Sequence, residues 1–168
     1  MLEQIDTDSD IGKSKYSTEP QSSKAPDIGR CPLNGQLGRA VQTQTLKALL
    51  RVSLREVNEQ DHYFFCATSD CPVVYFNTTG SQTFRIEHLH ERVYQKQATD
   101  PEVLVCYCFQ YSLGTLQQAD KKHKQVILSD IKQGIALNQC ACDLRNPQGT
   151  CCLGNVSKVL KDQVRPEA

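Results

Sequence analysis

Hydrophobic side chains are sparse at the start of the chain and then arrive in short bursts. Over residues 1–29 Asp, Ser, Lys, Thr, Glu, Pro and Gln recur, with Ile5, Ile11, Tyr16 and Ile28 among the few side chains that offer anything to bury. Such a composition predicts a disordered leader, because it buries too little apolar surface to offset the entropy of ordering. Residues 31–38 (Cys-Pro-Leu-Asn-Gly-Gln-Leu-Gly) then predict a tight turn. After Val41, the residues Leu46, Leu49 and Leu50 fall at helical spacing and predict a short helix capped at Thr43 or Thr45. Residues 61–66 and 72–77 are dense in aromatic and β-branched side chains and predict two strands. A turn at 78–81, a third strand over 83–86 and a short helix over 87–94, with Ile86, Leu89 and Val93 on one face, complete this half.

Residues 95–102 are polar and contain Pro101, which predicts a domain boundary. Beyond it the pattern predicts helices over 112–119, capped at Ser112, over 129–135, capped at Ser129 or Asp130, and over 153–160 after an Asn-Pro-Gln-Gly turn at 146–149. The fold class that follows is α+β in two small modules: a short antiparallel sheet with a helix over 30–97, and a short-helix module over 103–162.

Composition narrows the function. The 168 residues, 39% hydrophobic and 7% aromatic, allow one ordinary domain or two small ones. Nineteen basic residues balance nineteen acidic ones, so the basic stripe of a nucleic-acid binder is missing. No apolar run reaches the length of a membrane span. The start, Met-Leu-Glu-Gln-Ile-Asp-Thr-Asp, lacks the basic and apolar regions of a secretion signal. The expectation is a cytoplasmic protein without membrane insertion.

The nine cysteines change the picture most. An odd count without a secretion signal argues against a disulfide framework, and paired spacings beside Gly and Pro argue against inert core thiols. Cys66 and Cys71 lie at the tip of the expected hairpin, a C-x4-C turn that brings two thiolates to one side as a zinc knuckle does, and Cys31 adds a third. Asn34 stands where a C-x-x-C knuckle would put its second cysteine; His62, Asp70, His88 and His90 are candidates for a fourth ligand by chemistry alone, and an open fourth position is the other possibility. Downstream, Cys106 and Cys108 form one group and Cys140, Cys142, Cys151 and Cys152 another. Two thiolates one residue apart suit one iron, and a distant pair completes the tetrathiolate shell of an iron-sulfur cluster.

Three motifs carry a family resemblance: Phe65-Cys66-x4-Cys71-Pro72-Val73-Val74-Tyr75-Phe76, Cys106-Tyr107-Cys108-Phe109, and Asn146-Pro147-x-Gly149-x-Cys151-Cys152. In this order and spacing they resemble the amino-terminal half of the CopZ copper chaperones, over about residues 30–162. The resemblance implies a mononuclear zinc held by Cys31, Cys66 and Cys71 in the first module. It implies a second, helical module similar to bacterioferritin-associated ferredoxin (BFD-like), whose 2Fe-2S cluster would be held by Cys106, Cys108, Cys142 and Cys152. Cys152 preserves the family's separation from Cys142; Cys151 is the alternative. Cys140 has no family role, unless it replaces Cys142. Full-length members of the family end in a domain whose Met-x-Cys-x-x-Cys loop binds Cu(I), and no such loop occurs here, Met1 being the one methionine.

The implied function is electron transfer or metal handling with a redox or copper-handling protein partner, copper entering as a substrate ion reduced from Cu(II) to Cu(I). The alternative is a metal-sensing or interaction module in which neither metal turns over. A thiol enzyme using Cys140 or Cys151 is disfavoured, since no Cys-His pairing or C-x-x-C motif is visible in the sequence, and no catalytic residue is assigned.

Overall fold

Strand β1 (Arg39–Val41), β2 (Tyr63–Phe65), β3 (Val73–Asn77) and β4 (Thr83–Arg85) form a four-stranded antiparallel sheet in sequential order. The computed structural model describes residues 29–162, and the disordered leader expected over residues 1–29 lies outside them except for Gly29. Gly29 is buried, and a Cβ on it would meet the Phe64 ring at 2.3 Å. Among the described residues no helix is long and apolar enough to cross a membrane.

The sheet sorts its aromatic residues by pleat. Phe64 and Phe76 pair across β2 and β3 and stack with ring centroids 5.7 Å apart. With Val73 they form one small core together with Cys31, Cys66 and Cys71. Tyr63, Phe65, Tyr75 and Phe84 belong to a second core, which helix α1 (Thr43–Leu49) covers with Leu46 and which also takes in Leu50, just beyond the helix. A register shift between Val73 and Tyr75 along β4 marks an irregularity of the ladder, so simple alternation along β3 is interrupted there.

Several local expectations are corrected. The N-cap of α1 is Gln42, without a side-chain cap bond, so neither Thr43 nor Thr45 caps it. The helix expected over 87–94 is one 3₁₀ turn, Ile86–His88. Beyond it the backbone pairs with the end of α1: Arg51 N–H donates to the His88 carbonyl at 2.8 Å and His90 N–H to that of Leu49 at 2.9 Å. Leu89 and Val93 are buried as their spacing suggests, but tertiary backbone bonds replace the local ladder. Strand β1 was not anticipated, because three residues carry no readable period; it forms against the free edge of β2.

Downstream, β5 (Leu104–Cys106) and β6 (Tyr111–Ser112) make a two-stranded ribbon. Helix α2 (Leu113–Gln118) starts as expected at Ser112, whose hydroxyl accepts from Thr115 N–H at 3.2 Å. Helix α3 runs over Lys121–Ala136, eight residues earlier at its start than 129. Its N-cap is Asp120, which accepts from His123 N–H at 2.8 Å; the solvated Lys-Lys-His-Lys turn had no apolar period to reveal it. Helix α4 (Cys142–Arg145) was too short to anticipate, and α5 spans Leu153–Asp162. A third core, whose buried members lie within residues 103–160 and against which Tyr94 packs, joins Val103, Val105, Leu116, Ile131 and Val156.

Candidate metal centres

The first group of thiols is assembled by three turns. Cys31 N–H donates to the Gln36 carbonyl and Gly35 N–H to that of Cys31, both at 2.8 Å, and Gly35 closes this turn at φ 71°, a conformation glycine adopts without strain. Cys66 follows β2, its N–H bonded to the Val74 carbonyl at 2.9 Å, and Cys71 N–H reaches back to the Thr68 carbonyl at 3.3 Å. The three sulfurs lie within 4.8 Å of one another and are buried. Cys31 and Cys71 are 3.8 Å apart. A disulfide would require about 2.05 Å, whereas a tetrahedral ion with bonds of about 2.3 Å to sulfur sets its ligands about 3.8 Å apart. The donor set fits a zinc-sized ion.

None of His62, Asp70, His88 or His90 joins the trio; His88 Nδ1 instead accepts from Arg85 N–H at 3.2 Å. Asn34 does face it. Its Nδ2 donates to Cys66 Sγ at 3.5 Å while its Oδ1 accepts from Gln36 N–H at 3.0 Å, so it serves a thiolate rather than offering an oxygen to an ion. Burial pushes the Cys66 thiol up, but Thr68 hydrogen bonds, the Lys96 charge and the Asn34 amide outweigh it and bring it down to about 7. Cys71 is raised to about 11, by burial first and then by the neighbouring sulfurs. One thiol is poised to ionise, and another holds its proton until a cation displaces it.

The second group draws on the turn after β5, on α4 and on the approach to α5. Cys106, Cys108, Cys142 and Cys152 converge there, but not in the pairs that sequence proximity suggests. Cys108 Sγ is 3.7 Å from Cys142 Sγ, and the Ala141 amide donates to Cys108 Sγ at 3.3 Å. Cys106 makes its sulfur contact with Cys152, which also contacts Cys142. Among the described residues no three of these sulfurs share the mutual 4.8 Å spacing of the first group. The four thiols form an array whose contacts run from Cys106 to Cys152, from Cys152 to Cys142 and from Cys142 to Cys108. Cys106 and Cys152 are buried, whereas Cys108 and Cys142 reach the surface.

Charge is unevenly held in this array. The Cys152 contact lowers Cys142 to about 6 against burial, and the same partner lowers Cys106. Burial raises Cys108 to about 12 and outweighs the Ala141 amide, while contacts with Cys106 and Cys142 raise Cys152. Four thiolates therefore require bound positive charge. Cys151 is exposed and Cys140 half-buried. Both cysteines of the adjacent pair precede α5 rather than entering its first turn.

The loop that delivers Cys152 is fixed by side chains that no motif announced. Asn146 Nδ2 donates to the Thr150 carbonyl at 2.7 Å, and Gln148 Nε2 donates to the carbonyls of Thr150 and Cys151 at 3.3 and 3.2 Å. Gly149 turns the loop at φ 67°, and a Cβ there would meet Val41 and Thr45 at 3.2 and 3.3 Å. The Asn-Pro-x-Gly string signalled the turn, but not its partners across the chain.

Comparison with known proteins adds two likenesses. Residues 28–90 match the zf_CopZ family model, described as a zinc binding domain. The chain is also similar to the N-terminal domain of CopZ from Archaeoglobus fulgidus, known from an X-ray structure, at 29% identity and a TM-score of 0.62. That likeness covers 77% of this chain and 96% of the other, a share that residues 28–90 alone do not fill. A search of curated proteins finds no match. Residues 28–90 are thus similar to the CopZ-type zinc-binding module, and the mixed fold with its small antiparallel sheet is similar to that CopZ domain.

Proposed function

We propose that this chain is a metal-handling protein with two resident sites in two modules. Zinc is held by Cys31, Cys66 and Cys71, and a 2Fe-2S cluster by Cys106, Cys108, Cys142 and Cys152. The observation that carries the second assignment is the convergence of four sulfurs from segments more than thirty residues apart, with Cys108 and Cys142 at 3.7 Å. Its support is the likeness to the CopZ N-terminal domain over most of both chains. When bound, the cluster supplies a one-electron redox couple.

The residues of the chain set the conditions for that chemistry. Cys106 and Cys152, with Val105 and Val156 in the same core, keep water from one side of the array. The partly exposed Cys108 and Cys142 leave the other side open to a partner. The Ala141 amide supplies a hydrogen bond to Cys108 sulfur, one of the levers that set a cluster potential. In the first site the hydrogen bonds around Cys66 favour its thiolate, and there zinc serves folding. The substrate ion in this reading is Cu(II), delivered as Cu(I), the state that soft thiolate acceptors prefer, and the partner is a redox or copper-handling protein.

The test is anaerobic purification, metal and sulfide analysis, and EPR before and after dithionite. Two irons, two sulfides and one zinc per chain, with one unpaired spin on reduction and oxidation of the reduced protein by Cu(II), are expected. Zinc without acid-labile sulfide would overturn the cluster. A cluster that reduces but is inert to Cu(II) would favour the sensing role.

A further inference from the structure

Within residues 92–96, Arg92, Tyr94, Gln95 and Lys96 hydrogen-bond residues that flank the two thiol groups. On one side Lys96 Nζ donates to the Thr68 carbonyl at 2.6 Å, inside the Cys66–Cys71 turn. On the other, the hydroxyl of Tyr107, the residue between Cys106 and Cys108, donates to the Arg92 carbonyl at 2.7 Å and accepts from Tyr94 N–H at 3.0 Å. Gln95 Nε2 donates to Gln148 Oε1 at 2.7 Å, and Gln148 holds the Thr150 and Cys151 carbonyls just before Cys152.

The amide orientations in this network are forced. The Thr150 and Cys151 carbonyls can only accept, so Gln148 must present its Nε2 to them and its Oε1 to Gln95 and Asn155. Both neighbours must then donate, which leaves Gln95 Oε1 buried without a partner. An unpaired buried acceptor costs free energy and marks a side chain held in place by its one remaining contact.

We propose that the segment 92–96 couples the two sites, so that metal bound by Cys31, Cys66 and Cys71 braces Tyr107 and the 146–152 loop for metal binding at the second site. The inference rests on the two-site reading above. By linkage the coupling is reciprocal: each site raises the other's affinity by the same factor, about tenfold for a coupling of ordinary size.

The first experiment does not need the cluster. In a Cys108→Ser, Cys142→Ser background, which denies added zinc the second site, amide hydrogen exchange of the full chain is compared with and without zinc. Zinc is expected to slow exchange in 66–74 and also in 104–109 and 146–153, the latter two by about tenfold. At saturating zinc, where losing the Lys96 charge beside Cys66 no longer limits occupancy of the first site, Lys96→Met is expected to keep most of the first protection and lose most of the second. Protection confined to 66–74, or distal protection unchanged in Lys96→Met, overturns the coupling. Absence of protection anywhere overturns the zinc assignment and the coupling with it. The second experiment uses the wild-type holoprotein. Gln95→Leu should accelerate both cluster loss and zinc release to a chelator; faster cluster loss with zinc release unchanged would leave Gln95 as a local support and overturn the reciprocal link. A protein that takes up no iron or sulfide fails the function assigned above while leaving the exchange result to decide the coupling.

Discussion

The Tyr75 hydroxyl donates to the Pro147 carbonyl at 2.7 Å, a buried bond that joins the central strand of the sheet to the loop carrying Cys151 and Cys152. Burial raises the Tyr75 phenol, so it stays a donor throughout the working pH range. Tyr75→Phe leaves the carbonyl without its partner at a cost of about 1–3 kcal/mol. For a chain of this size each kcal/mol lowers the Tm by about 2–4 °C. Thermal unfolding of the holoprotein checks this, and a Tm within about 1 °C of wild type would show the bond to be dispensable.

Cys151 and Cys152 are adjacent but differ in surroundings. Cys152 is buried in the array with Cys106 and Cys142, and Cys151 is exposed. Cys152→Ser is expected to lose most of the iron, sulfide and visible absorption of anaerobically purified protein, whereas Cys151→Ser and Cys140→Ser retain them. Equal loss in Cys151→Ser and Cys152→Ser would assign the ligand wrongly here.

At the first site Asn34 stands three residues after Cys31, where a C-x-x-C knuckle has its second cysteine, with its amide 3.5 Å from Cys66 sulfur. Asn34→Cys should tighten zinc binding by about tenfold or more in chelator competition. Asn34→Ala removes the amide bond to Cys66 and should weaken binding modestly. No gain in Asn34→Cys would mean that residue 34 does not face the ion.

Zinc affinity at this site should fall with acidity. Cys71, raised to about 11, gives up a proton on binding at any pH near neutral. Cys66, lowered to about 7, is ionised above that value and protonated below it. The plot of log affinity against pH should therefore steepen by about one proton as pH drops through 7. A slope constant from pH 8.5 to 5.5 would contradict the lowering of Cys66.

Gly38 is set by space rather than by backbone conformation. A Cβ there would lie 2.6 Å from both Phe64 Cβ and Phe76 Cζ, in the stacked pair beside the thiol trio. Gly38→Ala should destabilise the protein by about 1–3 kcal/mol, read as a lower denaturant midpoint with an unchanged slope. A midpoint at or above that of wild type would show that the core yields.

Much of the site was legible in the chain. Aromatic density found β2, β3 and β4, and Ser112 marked the start of α2, because strand composition and cap chemistry act locally. The odd cysteine count and the C-x4-C and C-x-C spacings pointed to two thiol groups, and Cys31 does meet Cys66 and Cys71. The CopZ resemblance over the first half agrees with the family model at 28–90.

What the sequence by itself determined, then, was which thiols are available and which short segments present them. Which sulfur faces which was decided by tertiary structure. Cys106 and Cys108 are neighbours in the chain, yet Cys108 meets Cys142, since β5 ends at Cys106 and the turn after it carries Cys108 to the start of a helix thirty residues on. The polar stretch 95–102 read only as a domain boundary, because a glutamine or a lysine carries no sign of what it will touch. Only folding brought Gln95 to Gln148 and Lys96 to Thr68. Hydrogen bonds between distant side chains depend on geometry that no periodicity encodes, and they join the two thiol groups into one structure.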